Sequence, residues 1–172
     1  MYRPTPSIYH RSFPFAYITL ICGPPGSGKT TYARAQWRDG DLLLDFDTLM
    51  AALGNTQPHQ APSSLVPFAC GAQEAVLGNL AAQRHSIRSW VIGTLPRGIE
   101  RAALKRRLNA TAVIVLETSE EECIRRLLAD KDRCSDVMRL RPVITDWWLK
   151  YERNSEDTVI VPAIYDAAES KV

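Results

Sequence analysis

Residues 23–30 read Gly23-Pro24-Pro25-Gly26-Ser27-Gly28-Lys29-Thr30. The pattern is G-x-x-x-x-G-K-S/T, set directly after the apolar run Ala16–Cys22 and directly before a helix-like stretch, Lys29–Trp37. At average residue frequencies such a match arises by chance in about one chain of this length in a hundred, or fewer. Each residue type answers a demand of phosphate binding. Glycines let successive backbone N–H groups converge on phosphate oxygens, and a helix N-terminus adds positive potential. Gly23, Pro24, Pro25, Gly26, Ser27, Gly28, Lys29 and Thr30 are therefore the expected nucleotide-binding set. Lys29 reaches the β- and γ-phosphates of ATP, and Thr30 offers its hydroxyl to Mg2+. A plain glycine turn with a surface lysine would not explain the strand before it and the helix after it.

Outward from this loop the chain alternates. Apolar runs at Leu42–Phe46, Trp90–Gly93 and Ala112–Leu116, with a weaker one at Thr158–Val161, read as further strands buried on both faces. Between them lie helix-like stretches at Asp47–Leu53, about 68–83, Ile99–Leu108, Ser119–Ala129 and about 144–151. Ala69, Ala72, Val76 and Leu80 mark one helical face, and Ser119 with Glu122 suits a capping box. Strands alternating with helices predict an α/β fold of the P-loop NTPase type, a parallel sheet of about five strands flanked by helices on both faces. Two stretches resist the pattern. Residues 54–67 hold three prolines after Gly54 and no charged residue, so a mobile loop over a site is expected. Residues 130–142 are dense in charge and predict a solvent-facing, arginine-rich lid. The expected domain spans 16–161, with an N-terminal extension at 1–15 and a C-terminal tail at 162–172.

With 172 residues, 45% hydrophobic and 23% charged, the composition excludes a disordered protein and leaves enough chain for a core without metal or disulfide staples. Cys22, Cys70, Cys123 and Cys134 form no C-x-x-C pair, so no zinc site is expected and a reduced, cytoplasmic setting is. The run from Phe13 to Cys22 is too short to span a bilayer. Net charge is only +2, but residues 84–107 hold seven Lys or Arg against the single acid Glu100. Such a stretch suits a local anionic partner or a solvated helix face.

A phosphate loop fixes nucleotide binding and leaves the reaction open. There is no N-K-x-D motif, as a GTPase would supply, and no strand ending in D-E, as an AAA-type ATPase would. The small-kinase branch remains. Leu44-Asp45-Phe46-Asp47 ends the second strand, and alternation turns Asp45 and Asp47 to one side. At the carboxyl end of a parallel strand they lie where such sheets bind ligands. Asp45 is the candidate Mg2+ residue, with Thr30, and Asp47 the candidate base for an attacking hydroxyl. Asp47 as a mere N-cap of the next helix is the competing reading. Arg126 and Arg133, with Arg139 and Arg141 nearby, are the candidates to close over transferring phosphate. Trp147, Trp148 and Tyr151 share helical faces, as core or as a base-stacking surface.

Gly93-Thr94-Leu95-Pro96-Arg97 resembles the D-G-x-P-R segment of adenylate-type kinases, with Gly-Thr in place of Asp-Gly. That likeness implies that Arg97 contacts substrate or transferring phosphate; a solvated turn residue is the competing reading, and Arg101, one turn on, shares both alternatives. Residues 16 to about 153 resemble the polynucleotide-kinase-type P-loop kinases, and more closely the short versions encoded by DNA phages. Leu44-Asp45-Phe46-Asp47-Thr48-Leu49-Met50 is similar to the segment in which an aspartate activates a 5′-hydroxyl and an arginine three residues later grips the acceptor phosphate. Asp47 matches the aspartate, whereas Met50 stands at the arginine. The length leaves no room for a phosphatase domain, so a two-domain end-repair enzyme is not expected. Some phage kinases of this size phosphorylate the hydroxymethyl group of 5-hydroxymethyluracil in DNA, which helps phage DNA evade host restriction. The resemblance implies ATP and Mg2+ as cofactors and a DNA substrate with a modified base, in host cytoplasm. An end kinase, a nucleotide or metabolite kinase, and a nucleotide-dependent interaction module stay open as alternatives.

Overall fold

The computed structural model describes residues 17–82 and 87–162. The extension at 1–15, all but the first residue of the tail, and Arg84 of the basic stretch lie outside the described residues. Five strands, β1 (Tyr17–Cys22), β2 (Leu42–Leu44), β3 (Arg88–Gly93), β4 (Ala112–Leu116) and β5 (Thr158–Ile160), form one sheet in the order β2-β3-β1-β4-β5. Every pairing is parallel. The central β1 has β3 on one side and β4 on the other, and the chain reverses its direction of travel across the sheet there. Its carboxyl end is the crevice where open α/β sheets bind ligands.

Side-chain alternation along β1 builds a core on each face. Ile18, Leu20 and Cys22 pack with Leu77 and Leu80 of α3 (Val66–Ala82), Leu108 of α4 (Gly98–Leu108) and Trp147 of α6 (Val137–Lys150). Ile21 on the opposite face meets Ala33 of α1 (Lys29–Gln36), Trp90, Ile92 and Leu116. A third cluster joins α5 (Glu120–Ala129) to α6 through Cys123, Ile124, Leu127, Val137, Leu140 and Ile144.

Three expectations are corrected here. The first is that β2 stops at Leu44 and that α2 (Phe46–Gly54) begins two residues later, so Asp45 and Asp47 are not alternating strand residues. Second, the segment 130–142 is not irregular throughout: a 3₁₀ turn at Cys134–Asp136 leads into α6, which runs through Pro142. A proline inside a helix removes one backbone donor. Val137, Leu140, Ile144 and Trp147 nevertheless keep one buried face, and that packing outweighs the lost bond. Third, Arg101 is not available to phosphate. Its side chain is wholly buried, with Nε 2.8 Å from Asp157 Oδ2 and Nη1 donating to the carbonyls of Leu95 (2.9 Å) and Pro96 (2.6 Å). Nη2 donates to the Glu152 carbonyl. One guanidinium thereby fastens the turn after β3 to the chain after α6.

Removing one member of a buried ion pair strands the other charge, at about 3 kcal/mol or more. Asp157→Asn should lower the unfolding free energy by that scale, read as a lower urea midpoint at unchanged m-value. Glu74→Gln, which breaks the surface pair of Glu74 with Arg107 at 2.7 Å, should leave the midpoint in place.

Candidate active site

The loop after β1 adopts backbone that only glycine takes without strain. Gly26 has φ of +79° and a Cβ there would lie 2.8 Å from the Cys123 carbonyl oxygen. Gly28, at φ +92°, is the N-cap of α1. The Ser27 carbonyl is fixed twice, by Thr118 Oγ1 and by Arg126 Nη1, each at 3.1 Å. Lys29 Nζ donates to the carbonyls of Gly23 (2.9 Å) and Pro24 (2.7 Å), so its ammonium sits within its own loop. Burial pushes the Lys29 pKa down to about 8. The first turn of α1 carries no acid to offset the positive end of the helix.

Asp45 joins this loop to the second helix. It is the N-cap of α2: Oδ1 accepts from the Asp47 backbone N–H at 3.2 Å, while Oδ2 accepts from Thr30 Oγ1 at 2.8 Å. The capping role considered for Asp47 thus belongs to Asp45, and Asp47 falls in the first helical turn. A hydroxyl and a carboxylate held together at the mouth of a phosphate loop are hard oxygen donors that fit Mg2+. The Asp47 side chain is about half exposed (52%), and its Oδ2 lies 3.2 Å from His59 Nδ1. That hydrogen bond, together with the charges of His59, Arg133 and Lys29, holds the Asp47 carboxyl below its ordinary range against the opposing effect of burial.

Both carboxylates open on one cavity of about 640 Å3, within the usual size of a small-molecule site. Gly26, Gly28, Lys29 and Thr30 line its floor, Asp45 and Asp47 one wall, and Arg126, Arg133 and Arg139 another. Arg126 is steered by Glu122, whose Oε1 accepts from Arg126 Nε at 2.6 Å. The capping box is therefore half formed. Ser119 Oγ accepts from the Glu122 backbone N–H at 3.2 Å, but the Glu122 carboxylate turns to Arg125 and Arg126 instead of back to the cap. Arg133 lines the cavity with its Nε buried and unpartnered. Arg97 does not join this group. It is exposed at the N-cap of α4 and is not among the cavity residues, and neither is Arg141.

Sequence reasoning missed Arg34, Pro58, His59, Gln73 and Asp130, all of which line the cavity. Pro58 and His59 come from the proline-rich loop, where the presence of a cover was expected but no residue was singled out. Gln73 on α3 carried no signal, since a lone amide on an amphipathic helix has no characteristic spacing. Thr94 lines the cavity as well, and its carbonyl accepts from Trp147 Nε1 at 2.6 Å. Trp147 is buried and stacks on Tyr151 with centroids 4.7 Å apart, so these rings serve the core.

A family model described as an AAA domain matches residues 18–139. No curated protein matches the chain in sequence. Among solved structures, a gluconokinase from Sinorhizobium meliloti 1021 is similar at 17% identity and TM-score 0.55, covering 89% of this chain and 85% of its own. A shikimate kinase from Acinetobacter baumannii in complex with shikimate is similar at 20% identity and TM-score 0.51, covering 87% and 86%. The tunicamycin resistance protein of Deinococcus radiodurans follows at 17% identity and TM-score 0.51, covering 86% of each chain. These likenesses establish the P-loop kinase type of fold, a five-stranded parallel sheet between helices.

Lys29→Ala should leave the fold intact and weaken phosphoryl chemistry by about 3 kcal/mol of transition-state stabilisation or more, read as turnover of labelled ATP. Asp45→Asn should raise the Mg2+ concentration needed for half-maximal turnover, because the carboxylate partner of Thr30 is lost while an amide oxygen can still cap α2.

Proposed function

The chain belongs to the AAA-domain family, and we propose that it is an ATP-dependent phosphotransferase moving the γ-phosphoryl group to a hydroxyl presented beside Asp47. The observation that carries this reading is the sharing of one cavity by the phosphate loop and by a carboxylate that caps nothing. The strands flanking β1 also favour transfer over an AAA-type ATPase. β3 ends in Ile92-Gly93-Thr94, and β4 leads into Glu117-Thr118, where Tyr151 and Arg153 occupy the Glu117 carboxylate. Neither ends in D-E.

In this mechanism Asp47 accepts the proton of the acceptor hydroxyl as its oxygen bonds to the γ-phosphorus. The bond to the β,γ-bridging oxygen breaks, and ADP leaves with that electron pair. Lys29, Arg126 and Arg133 hold the charge that spreads over the phosphoryl oxygens. Mg2+, when bound, would be held through Thr30 and Asp45 and would neutralise phosphate charge.

As acceptor we propose the hydroxymethyl group of 5-hydroxymethyluracil within DNA, which on the phage resemblance would make the product a means of restriction evasion in host cytoplasm. Met50 supports the absence of an end-phosphate clamp, since it is 9% exposed and packs inward three residues after Asp47. One observation favours a second reading, a small hydroxylated metabolite. Much of the basic stretch is already paired: Arg88 with Asp41, Lys105 with Glu156 and Arg107 with Glu74, besides the buried Arg101. Gluconate and shikimate, the compounds named in two of the similar structures, are probes of that class.

The test offers labelled ATP with circular hydroxymethyluracil duplex, linear thymine DNA bearing 5′-hydroxyls, gluconate, shikimate and neutral polyols. Product is identified by mass after digestion. Phosphomethyl-deoxyuridine from the circle, lost with Asp47→Asn, is expected. Label in a small acceptor alone replaces the DNA reading, and ATP left unconsumed throughout removes the kinase reading. DNA binding, if it serves this reaction, should weaken linearly in log affinity as log salt rises.

A further inference from the structure

His59 sits in a backbone conformation that few residues adopt, with φ of +67°. The segment around it is pinned at both ends. Thr56 N–H donates to the Ala51 carbonyl at 3.0 Å, Gln60 N–H to Gln57 at 3.2 Å and Leu65 N–H to Pro62 at 3.1 Å. Although the residue lies on an exposed loop, its imidazole is only 21% exposed, because the ring turns inward onto Asp47 at the cavity wall. Backbone strain that aims a side chain into a site is a pointer to function. The direction of the hydrogen bond follows from chemistry. An ionised carboxylate only accepts, so Nδ1 carries the proton and donates to Asp47 Oδ2. Among the described residues nothing donates to Oδ1.

We propose that His59 is a positioning residue for phosphoryl transfer: it holds one oxygen of Asp47 so that the other is presented to the acceptor hydroxyl. This rests on the reading of Asp47 as the base. A carboxylate about half exposed at the start of a helix can rotate about its side-chain bonds, and a base must keep one oxygen within hydrogen-bond reach of the proton it removes. Asp45 cannot do the holding. Its own oxygens are engaged by Thr30 and by the Asp47 backbone, and two carboxylates without a shared proton repel. Arg133 and Lys29 contribute charge near Asp47 but make no direct bond to it, which leaves the imidazole as its contact.

The experiment is a kinetic double-mutant cycle on the full chain, with labelled ATP, Mg2+ and the acceptor of the panel above that takes label in the unaltered protein. Nucleotide affinity is followed separately with a fluorescent ADP analogue. His59→Gly relaxes the backbone and removes the donor, whereas His59→Asn tolerates the same backbone and keeps an N–H. In the Asp47 background His59→Gly should cut kcat about tenfold, the worth of one hydrogen bond to a charged group, and His59→Asn should recover most of it. Affinity for the ADP analogue should hold within about twofold, and in Asp47→Asn the His59→Gly change should cost nothing further. An equal loss in both backgrounds, or no loss in either, overturns the proposal. Wild-type turnover in Asp47→Asn itself would instead sink the reading of Asp47 on which it stands.

Discussion

The hydrogen bond from Thr30 to Asp45 ties together two helix N-termini that sequence keeps fifteen residues apart. Thr30 belongs to the first turn of α1 and follows the phosphate loop, while Asp45 is the residue on which α2 begins. Because the other Asp45 oxygen caps α2, the direction in which that helix leaves the sheet is coupled to the loop. Asp47, two residues on, inherits its place from this arrangement. The sheet order makes the meeting possible: β1 is central, β3 lies between it and β2, and the carboxyl ends of all three face one crevice. A small polar clasp, about 8% exposed at Asp45, thus sets the spacing between the phosphate loop and Asp47 across the cavity.

The parallel sheet was legible because buried strands show as apolar runs, and all five appear within a few residues of where those runs lie. The phosphate loop was legible because its glycines are demanded by backbone geometry at Gly26 and Gly28, and geometry of that kind leaves little choice of residue. The start of α6 was not legible. Its stripe of Val137, Leu140, Ile144 and Trp147 has helical spacing, but Pro142 and the neighbouring charges hide it, and only packing against α5 makes it count. Asp45 and Asp47 were expected together on grounds of strand alternation and meet through a helix cap instead. His59 was invisible for a different reason: no local spacing records which loop residue will cross a cavity.

The arginines divide in the same way between what charge density suggests and what burial dictates. Arg126, on α5, and Arg133 both line the cavity beside the phosphate loop. Arg101 lies in a stretch of similar composition and is a wholly buried fastener for the turn after β3. Leu95 in that turn has a positive φ of 23°, and its carbonyl is among the groups that Arg101 holds. A count of basic residues along the chain cannot separate these roles, since the difference is made by Asp157 and the Glu152 carbonyl, more than fifty residues away.

The central claim is that the cavity transfers a phosphoryl group to an organic hydroxyl rather than to water. Time-resolved phosphorus NMR of the protein with Mg2+, ATP and the acceptor panel observes both fates at once. The account predicts ADP and a phosphomonoester resonance growing in equal amounts, with little inorganic phosphate. ADP matched only by inorganic phosphate, with every acceptor present, would contradict it.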